Sequence, residues 1–378
     1  MTNTLQMIRP RFSESKKYKI SSAKKRRGLP LNKGLFAFTI IMVVFGLIFT
    51  YSSSAFADSM RYFKRQLLFD IIGVFLMLFL AKFFTKITNL KFFKPLYILW
   101  FCWGLLIWAL FSPEAAHTHR WINLGFFNLQ PSEFAKVALI IYLASFFSKR
   151  PSKERTLSTY LIPIGYSAIT IGLIYVGKDL GIPILLAAVL FMMLIIVETP
   201  PKIIGWLGLG GFSLLPLAIL YKPYRIKRMF DFILGEVSYQ MEHSYNAIGS
   251  GGWFGKGLGA SDMKLEYLPA AHTDFIFAII CEEGGLLVAL LIIIAFTWLF
   301  ITGIKRARLA KSVYNSYLIA GITICLFFQA MINMSVATGI APTKGLPLPF
   351  FSYGGSSVIV TLVMMGILMN LFAVEDSE

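Results

Sequence analysis

From residue 34 to residue 374 the chain repeats one pattern: a run of mostly apolar residues, then a polar break. A helix that crosses a bilayer needs about 20 such residues. The runs fall at 34–55, 66–83, 96–112, 132–148, 158–176, 180–198, 203–222, 276–303, 314–337 and 356–374. They predict an all-α polytopic membrane protein with ten transmembrane helices. One break is far longer than the others, the 53 residues 223–275 between the seventh and eighth runs. Loops of that length rarely lack structure of their own, so this one is expected to be functional or locally folded. No internal repeat is legible, which speaks against an inverted-repeat transporter.

Composition strengthens this reading. Apolar residues make up 57% of the chain and charged ones only 15%, with a mean hydropathy of +0.69. A soluble protein carries roughly a quarter charged residues, so an ordinary cytosolic enzyme is not expected. The net charge of +17 raises nucleic acid as a partner, but its placement argues otherwise, because ten of the 36 Lys and Arg lie in residues 1–33. That segment lacks the apolar stretch and small-residue cleavage site of a secretory signal. It reads as a disordered basic cytoplasmic tail beside anionic headgroups, with no folded basic face to hold nucleic acid. With the tail inside, the tail and the cytoplasmic breaks together collect 23 of the 36 basic residues. Both termini are then cytoplasmic, residues 34–374 form one membrane domain, and 375–378 are a short inner tail. Cys102, Cys281 and Cys325 are far apart within apolar runs and fit neither a disulfide framework nor a zinc site.

This orientation gathers the unusual sequence on the outer side: 113–131, the turn Gly177-Lys178-Asp179, the large extracytoplasmic loop 223–275, and 338–355. Arg225 to Leu234 alternates basic with aromatic or aliphatic residues, which suits either a short interfacial helix or a solvated linker. Residues 246–261 hold six glycines without the strand and helix that a phosphate-binding fingerprint requires. They read as a tightly packed loop or, alternatively, as a direct phosphate contact. Residues 339–357 contain three prolines and four glycines, which forbid a continuous helix. At membrane depth such backbone survives only when it is buried in protein or lines a wet cavity. Lys344 is available there to bind an anion.

Ionisable groups within apolar runs cost a few kcal/mol and usually face a partner or a cavity. Glu133 and Lys136 stand three residues apart on one helical face, as either a structural bridge or part of a substrate-facing cavity. Arg120, Gln130 and Asp179 are expected at the same depth. Asp179 also suits the start of the sixth helix electrostatically. Asp274 stands where the eighth run begins, and His272-Thr273-Asp274 could be a helix cap or a catalytic group. Glu282 and Glu283 follow two turns deeper on different faces, beside Gly284-Gly285.

These motifs resemble the SEDS family (shape, elongation, division and sporulation) of peptidoglycan polymerases over roughly 34–374. The resemblance is carried by Arg120-Trp121, Gln130-Pro131-Ser132-Glu133, the glycine-rich 246–261, His272-Thr273-Asp274-Phe275 and Ser352-Tyr353-Gly354-Gly355-Ser356-Ser357. Lys264-Leu265-Glu266-Tyr267-Leu268-Pro269 and Pro342-Thr343-Lys344-Gly345 look more like the division members than the elongation members. The resemblance implies a ten-helix bacterial inner-membrane enzyme that polymerises lipid II on the outer face, at the division septum. Its partners would be a class B penicillin-binding transpeptidase and other divisome membrane proteins. Asp274 matches the family's essential acid. Arg120, Glu133, Lys136 and Asp179 match cavity positions, and Glu266 and Lys344 match polar outer-loop positions. His272 and Ser352 fall within matched motifs. Departures stand at Lys178, where the family has proline, at Cys281 and Gly284 of Cys281-Glu282-Glu283-Gly284-Gly285, and at Ala270, where an acid is common.

The implied reaction is inverting glycosyl transfer. A sugar 4-hydroxyl attacks the anomeric carbon of the lipid-linked donor, and undecaprenyl pyrophosphate leaves. This chemistry calls for a base on the hydroxyl, for which Asp274 is the candidate. It also calls for positive groups on the pyrophosphate, for which Arg120, Lys136 and Lys344 are candidates. A divalent cation, magnesium or manganese, is implied by the resemblance alone, and no metal ligand set is legible. The rival readings are a lipid II flippase or transporter, an elongation-type polymerase, and a non-enzymatic divisome scaffold.

Overall fold

The structure, a computed structural model, describes residues 32–53, 59–90, 93–113, 118–125, 127–220, 239–262, 273–343 and 345–377. Its helices are α1 (Lys33–Ser53), α2 (Ser59–Thr88), α3 (Pro95–Phe111), α4 (Pro131–Ser148), α5 (Leu157–Val176), α6 (Gly181–Ile196), α7 (Pro201–Leu220), α8 (Tyr239–Ser250), α9 (Ile276–Leu309), α10 (Val313–Ala337) and α11 (Gly355–Ser377). Each predicted apolar run falls on one of them. Among the described residues, seven helices are long and apolar enough to cross a membrane, and α3 and α6 are shorter apolar helices. The chain is therefore a multi-pass helical membrane protein.

Two helices outrun the sequence pattern. α2 continues to Thr88 and α9 to Leu309, because backbone hydrogen bonding does not stop where the lipid does. Near the end of α2, the exposed Lys82 and Lys86 each place their ammonium 5.4 Å from the Phe83 ring, a cation–π contact. α11 likewise runs into the expected inner tail, where Glu375 accepts from the Lys311 N–H and from Asn315 Nδ2, both at 2.8 Å. The basic tail 1–31 and the candidate interfacial helix Arg225–Leu234 lie outside the described residues.

α4, α10 and α11 form the buried centre, while α1, α2, α5 and α9 are largely exposed on their outward faces. α2 and α11 make the most extensive helix pair. Asn370 locks it, donating Nδ2 to the Ala81 carbonyl at 2.9 Å and accepting from the Thr85 N–H at 3.1 Å. α1 packs through Gly46 directly onto the carbonyl of Phe350, leaving no room for a Cβ, and Thr50 donates to the Phe351 carbonyl at 3.1 Å. The irregular segment 345–354 is thus buried in protein, as its membrane depth demands.

The large loop contains α8, an element the apolar pattern does not reveal. Met241, Ser244 and Ala247 form its buried face, and Ser244 donates to the Ala337 carbonyl at the end of α10 at 2.7 Å. The glycine-rich stretch therefore begins inside a helix and becomes a loop only after Ser250. That loop enters α9 where the helix is broken at Gly285 (φ 70°, ψ −175°). An unbroken helix would bond the N–H groups of 286 and 287 to the carbonyls of 282 and 283. Instead Leu286 and Leu287 donate to Gly252 and Trp253 at 2.9 and 3.2 Å, while Glu282 and Glu283 accept from Lys256 and Gly257 at 2.9 and 3.0 Å. Two missing bonds are replaced by four across the break. Gly251, Gly255 and Gly285 have no space for a Cβ against the facing backbone, which is why this loop is rich in glycine. Of the two readings of the stretch, the described structure displays the tightly packed loop.

Candidate active site

After α3, a two-residue-strand hairpin (β1 Ile122–Asn123, β2 Asn128–Leu129, antiparallel) leads into α4. α4 starts at Pro131, where the missing N–H costs nothing. Gln130, at the cap position, is buried and donates its N–H to Ser356 Oγ at the head of α11, at 3.0 Å. Its Nε2 lies 3.5 Å from Asp179 Oδ2.

Asp179 follows a turn in which Lys178 takes φ 66°. Proline cannot adopt that angle, so the departure at 178 gives this turn a shape that the family's usual residue would forbid. Asp179 is almost wholly buried, and Oδ1 accepts the N–H groups of Gly181 and Ile182 at 3.0 and 3.4 Å. It therefore does support the start of α6, and it also faces Arg120, whose guanidinium stands 3.9 Å from Oδ1. Burial pushes the Asp179 carboxyl up, against the pull of Arg120 and the two N–H groups, with Glu133 adding to the rise.

Asp274 belongs to the same group. The residue capping α9 is Phe275, with no side-chain cap bond, so the structure does not give Asp274 the capping role. Its carboxyl is pushed up to about 6, chiefly by burial; Arg120 draws it down and Asp179 raises it. Among the described residues it accepts no hydrogen bond. The backbone at Gly345 passes close by: a Cβ there would lie 3.2 Å from Asp274 Oδ2 and 3.7 Å from the Arg120 guanidinium. Two acids thus flank one arginine beneath a glycine-floored segment. Among the described residues Arg120 Nε and Ser132 Oγ are buried without partners, and Arg120 and Ser132 line a small pocket with His119, Asp179, Leu106 and Ala109.

Glu133 and Lys136 lie deeper, both fully buried, with Nζ and Oε2 2.6 Å apart. Lys136 also donates to Gln329 Oε1 at 2.7 Å, so its ammonium is engaged on the protein. Among the described residues the Glu133 carboxylate makes no hydrogen bond beyond that ion pair. Ser352 is buried, donating to the Thr273 carbonyl at 2.6 Å and accepting the Leu348 N–H at 2.7 Å. Glu266, His272 and Lys344 lie outside the described residues.

The structure thus brings Arg120, Gln130, Asp179 and Asp274 together, places Glu133 and Lys136 beneath them, and uses Ser352 as a clasp. The sequence reading passed over Gln329 and Asn333. Asn333 donates Nδ2 to the Asp274 carbonyl at 2.9 Å and to the Leu346 carbonyl at 2.7 Å. Two amides four residues apart in an otherwise apolar run were the available signal.

A family model described as "Cell cycle protein", covering the FtsW, RodA and SpoVE proteins, matches residues 32–376. A probable peptidoglycan glycosyltransferase FtsW of Trichlorobacter lovleyi is 35% identical over 363 residues, covering 90% of this chain and 92% of that protein. The stage V sporulation protein E of Bacillus subtilis is 36% identical over 353 residues, covering 88% and 94%. A chain of a solved peptidoglycan synthase complex shares the fold, with a TM-score of 0.73 at 22% identity, covering 93% of this chain and 100% of that one.

Proposed function

The chain belongs to the FtsW/RodA/SpoVE family of cell cycle proteins, and from that premise we propose that it polymerises lipid II into glycan strands with Asp274 as the general base. It is a peptidoglycan glycosyltransferase, the activity by which its FtsW relatives are named. The observation that carries the residue assignment is the half-buried Asp274 carboxyl, beside Arg120 and under the Gly345 backbone, pushed up to about 6 and without a hydrogen-bond donor among the described residues. A base needs a pKa near its working pH. In the step proposed, Asp274 takes the proton of the acceptor 4-hydroxyl as its oxygen bonds to the anomeric carbon. The bond to the pyrophosphate oxygen breaks, and undecaprenyl pyrophosphate leaves. Arg120 lies where it can meet developing negative charge, with Asp179 and Gln130 holding it in place.

Lys136 and Glu133 act in this reading from below, as an engaged ion pair that supports the site, and Glu266, His272 and Lys344 remain substrate-binding candidates. A divalent cation is kept only as a companion of the substrate's pyrophosphate. Among the described residues no group of three or more His, Cys, Asp or Glu is placed to hold one, and no step runs through it. The proposed topology has ten spans, both termini cytoplasmic, and 223–275 outside the bacterial inner membrane at the septum. The partners proposed are a class B penicillin-binding transpeptidase and other divisome proteins.

Purified protein given labelled lipid II should make glycan strands. Translocation without strands would instead mean a flippase, and neither would mean a scaffold. For orientation, a cysteine at Leu258, 64% exposed in the glycine-rich loop, should label from outside in intact spheroplasts. Labelling only after lysis would reverse the topology.

A further inference from the structure

We infer that Asn333 is a positioning residue for Asp274, clamping the turn that carries the acid to the segment 345–348 and so fixing the direction of its carboxyl. The inference rests on the proposal that Asp274 is the base.

Asn333 is 1% exposed on α10. Its one nitrogen supplies both bonds, to the Asp274 carbonyl at 2.9 Å and the Leu346 carbonyl at 2.7 Å. Its Oδ1 finds no donor among the described residues, so these two bonds alone orient the amide. One turn earlier, Gln329 donates to the Pro347 carbonyl at 2.8 Å while accepting from Lys136 at 2.7 Å. The two amides lie on one face of α10 and hold consecutive carbonyls of the same segment. On the other side, Ser352 ties the Thr273 carbonyl to the Leu348 N–H. The turn 273–275 is therefore gripped by two clasps, Asn333 and Ser352, both of which end on 346–348.

The grip matters because the Asp274 carboxyl has no donor of its own among the described residues. Its direction follows from its main chain, and the main chain is held by these clasps. The segment they secure is also the one whose Gly345 passes over Asp274 Oδ2. The charged groups facing the acid are Arg120 from the segment after α3 and Asp179 from the turn before α6; Asn333, from α10, is neutral. Freeing the turn would let Asp274 hydrate and leave Arg120. Because burial is the largest influence on it, its pKa should fall toward the ordinary carboxyl value.

The test measures strand synthesis by the purified full-length protein across pH, for Asn333→Ala, Ser352→Ala and Asp274→Asn. Asn333→Ala should lose about 10- to 100-fold in kcat with little change in KM, as expected for a misplaced catalytic group. The midpoint of its acid limb should move down from about 6. Ser352→Ala should move the same two readouts in the same direction, and it decides the matter alone if Asn333→Ala yields no folded protein. An unmoved midpoint with kcat per folded molecule near wild type would overturn the inference, even if less protein folds. If Asp274→Asn still makes strands, the base assignment and this inference fall together. If Asp274→Asn is dead while Asn333→Ala matches wild type in kcat and midpoint, only the inference falls.

Discussion

Asp274 and the pair Glu282–Glu283 stand only two turns apart along one stretch of chain, yet their surroundings are opposite. Glu282 accepts from Lys256 Nζ at 2.8 Å, from the Asp262 N–H at 3.1 Å, from Ser250, and from Ser261. Glu283 accepts from Ser52 of α1 at 2.6 Å. Lys256 is in turn held in its charged form by Asp262 and Glu282, which push its pKa up. Around Asp274 the groups are left incomplete among the described residues: its own carboxyl lacks a donor, and Arg120 Nε, Ser132 Oγ and Asn333 Oδ1 are buried without partners. A satisfied acid network stabilises a fold, whereas buried polar groups without partners are costly unless something else completes them. The contrast separates acids that hold the helix break together from the acid proposed as the base.

The largest effect should come from Asp274→Asn, because an amide accepts no proton at neutral pH. Synthesis should fall about 100- to 10,000-fold while insertion is normal. The accompanying melting temperature tests the contrast. The folded state raises the Asp274 pKa from 3.8 to about 6, so it binds the proton more tightly than the unfolded chain does. Stability from this group therefore falls as pH rises between those values, and the cost is fully present above 6. A neutral Asn at pH 7 removes that cost, so the variant should melt at the same temperature or higher. The same pKa predicts that wild-type synthesis declines as pH drops through about 6.

Glu282→Ala should behave the other way. It strands several donors, each worth about 1–3 kcal/mol when left unsatisfied, so a loss of about 3 kcal/mol or more in thermal or denaturant stability is expected. Activity per folded molecule should change far less than in Asp274→Asn. If Glu282→Ala melts normally but abolishes synthesis, the two clusters do not differ in kind. Ser52→Ala should give the smallest effect, about 1–3 kcal/mol, read as a lower melting temperature in detergent with kcat preserved.

Much of the fold was legible because lipid demands long apolar runs, and every such run became a helix. α8 was not legible because it is short and half polar, with only Met241, Ser244 and Ala247 marking its buried side. The grouping of Arg120, Gln130 and Asp179 could be anticipated from depth alone. The state of Asp274 could not, since capping and catalysis require the same residue at a helix start. The structure removes only the capping reading, since Phe275 holds the cap position without a side-chain bond. Lys136 looked like a cation available for an anion, and its engagement by Gln329 needed a contact across 193 residues. Asn333 and Gln329 were hidden for a similar reason, because neutral amides in an apolar run carry no charge to draw notice.

The loop that fills the break in α9 has a consequence for the order in which this protein assembles. The amides of Leu286 and Leu287 sit within an apolar helix but are covered by carbonyls from residues 252 and 253, which leave the ribosome more than thirty residues earlier. When the ninth helix first enters the bilayer, those two amides and their opposing carbonyls have no partners in their own segment, and lipid offers none. The helix can only be completed after the earlier loop has docked beside it. Insertion and loop docking therefore belong to one event. In hydrogen exchange, these two amides should open at the pace of the loop, while the rungs on either side keep the slower clock of the helix.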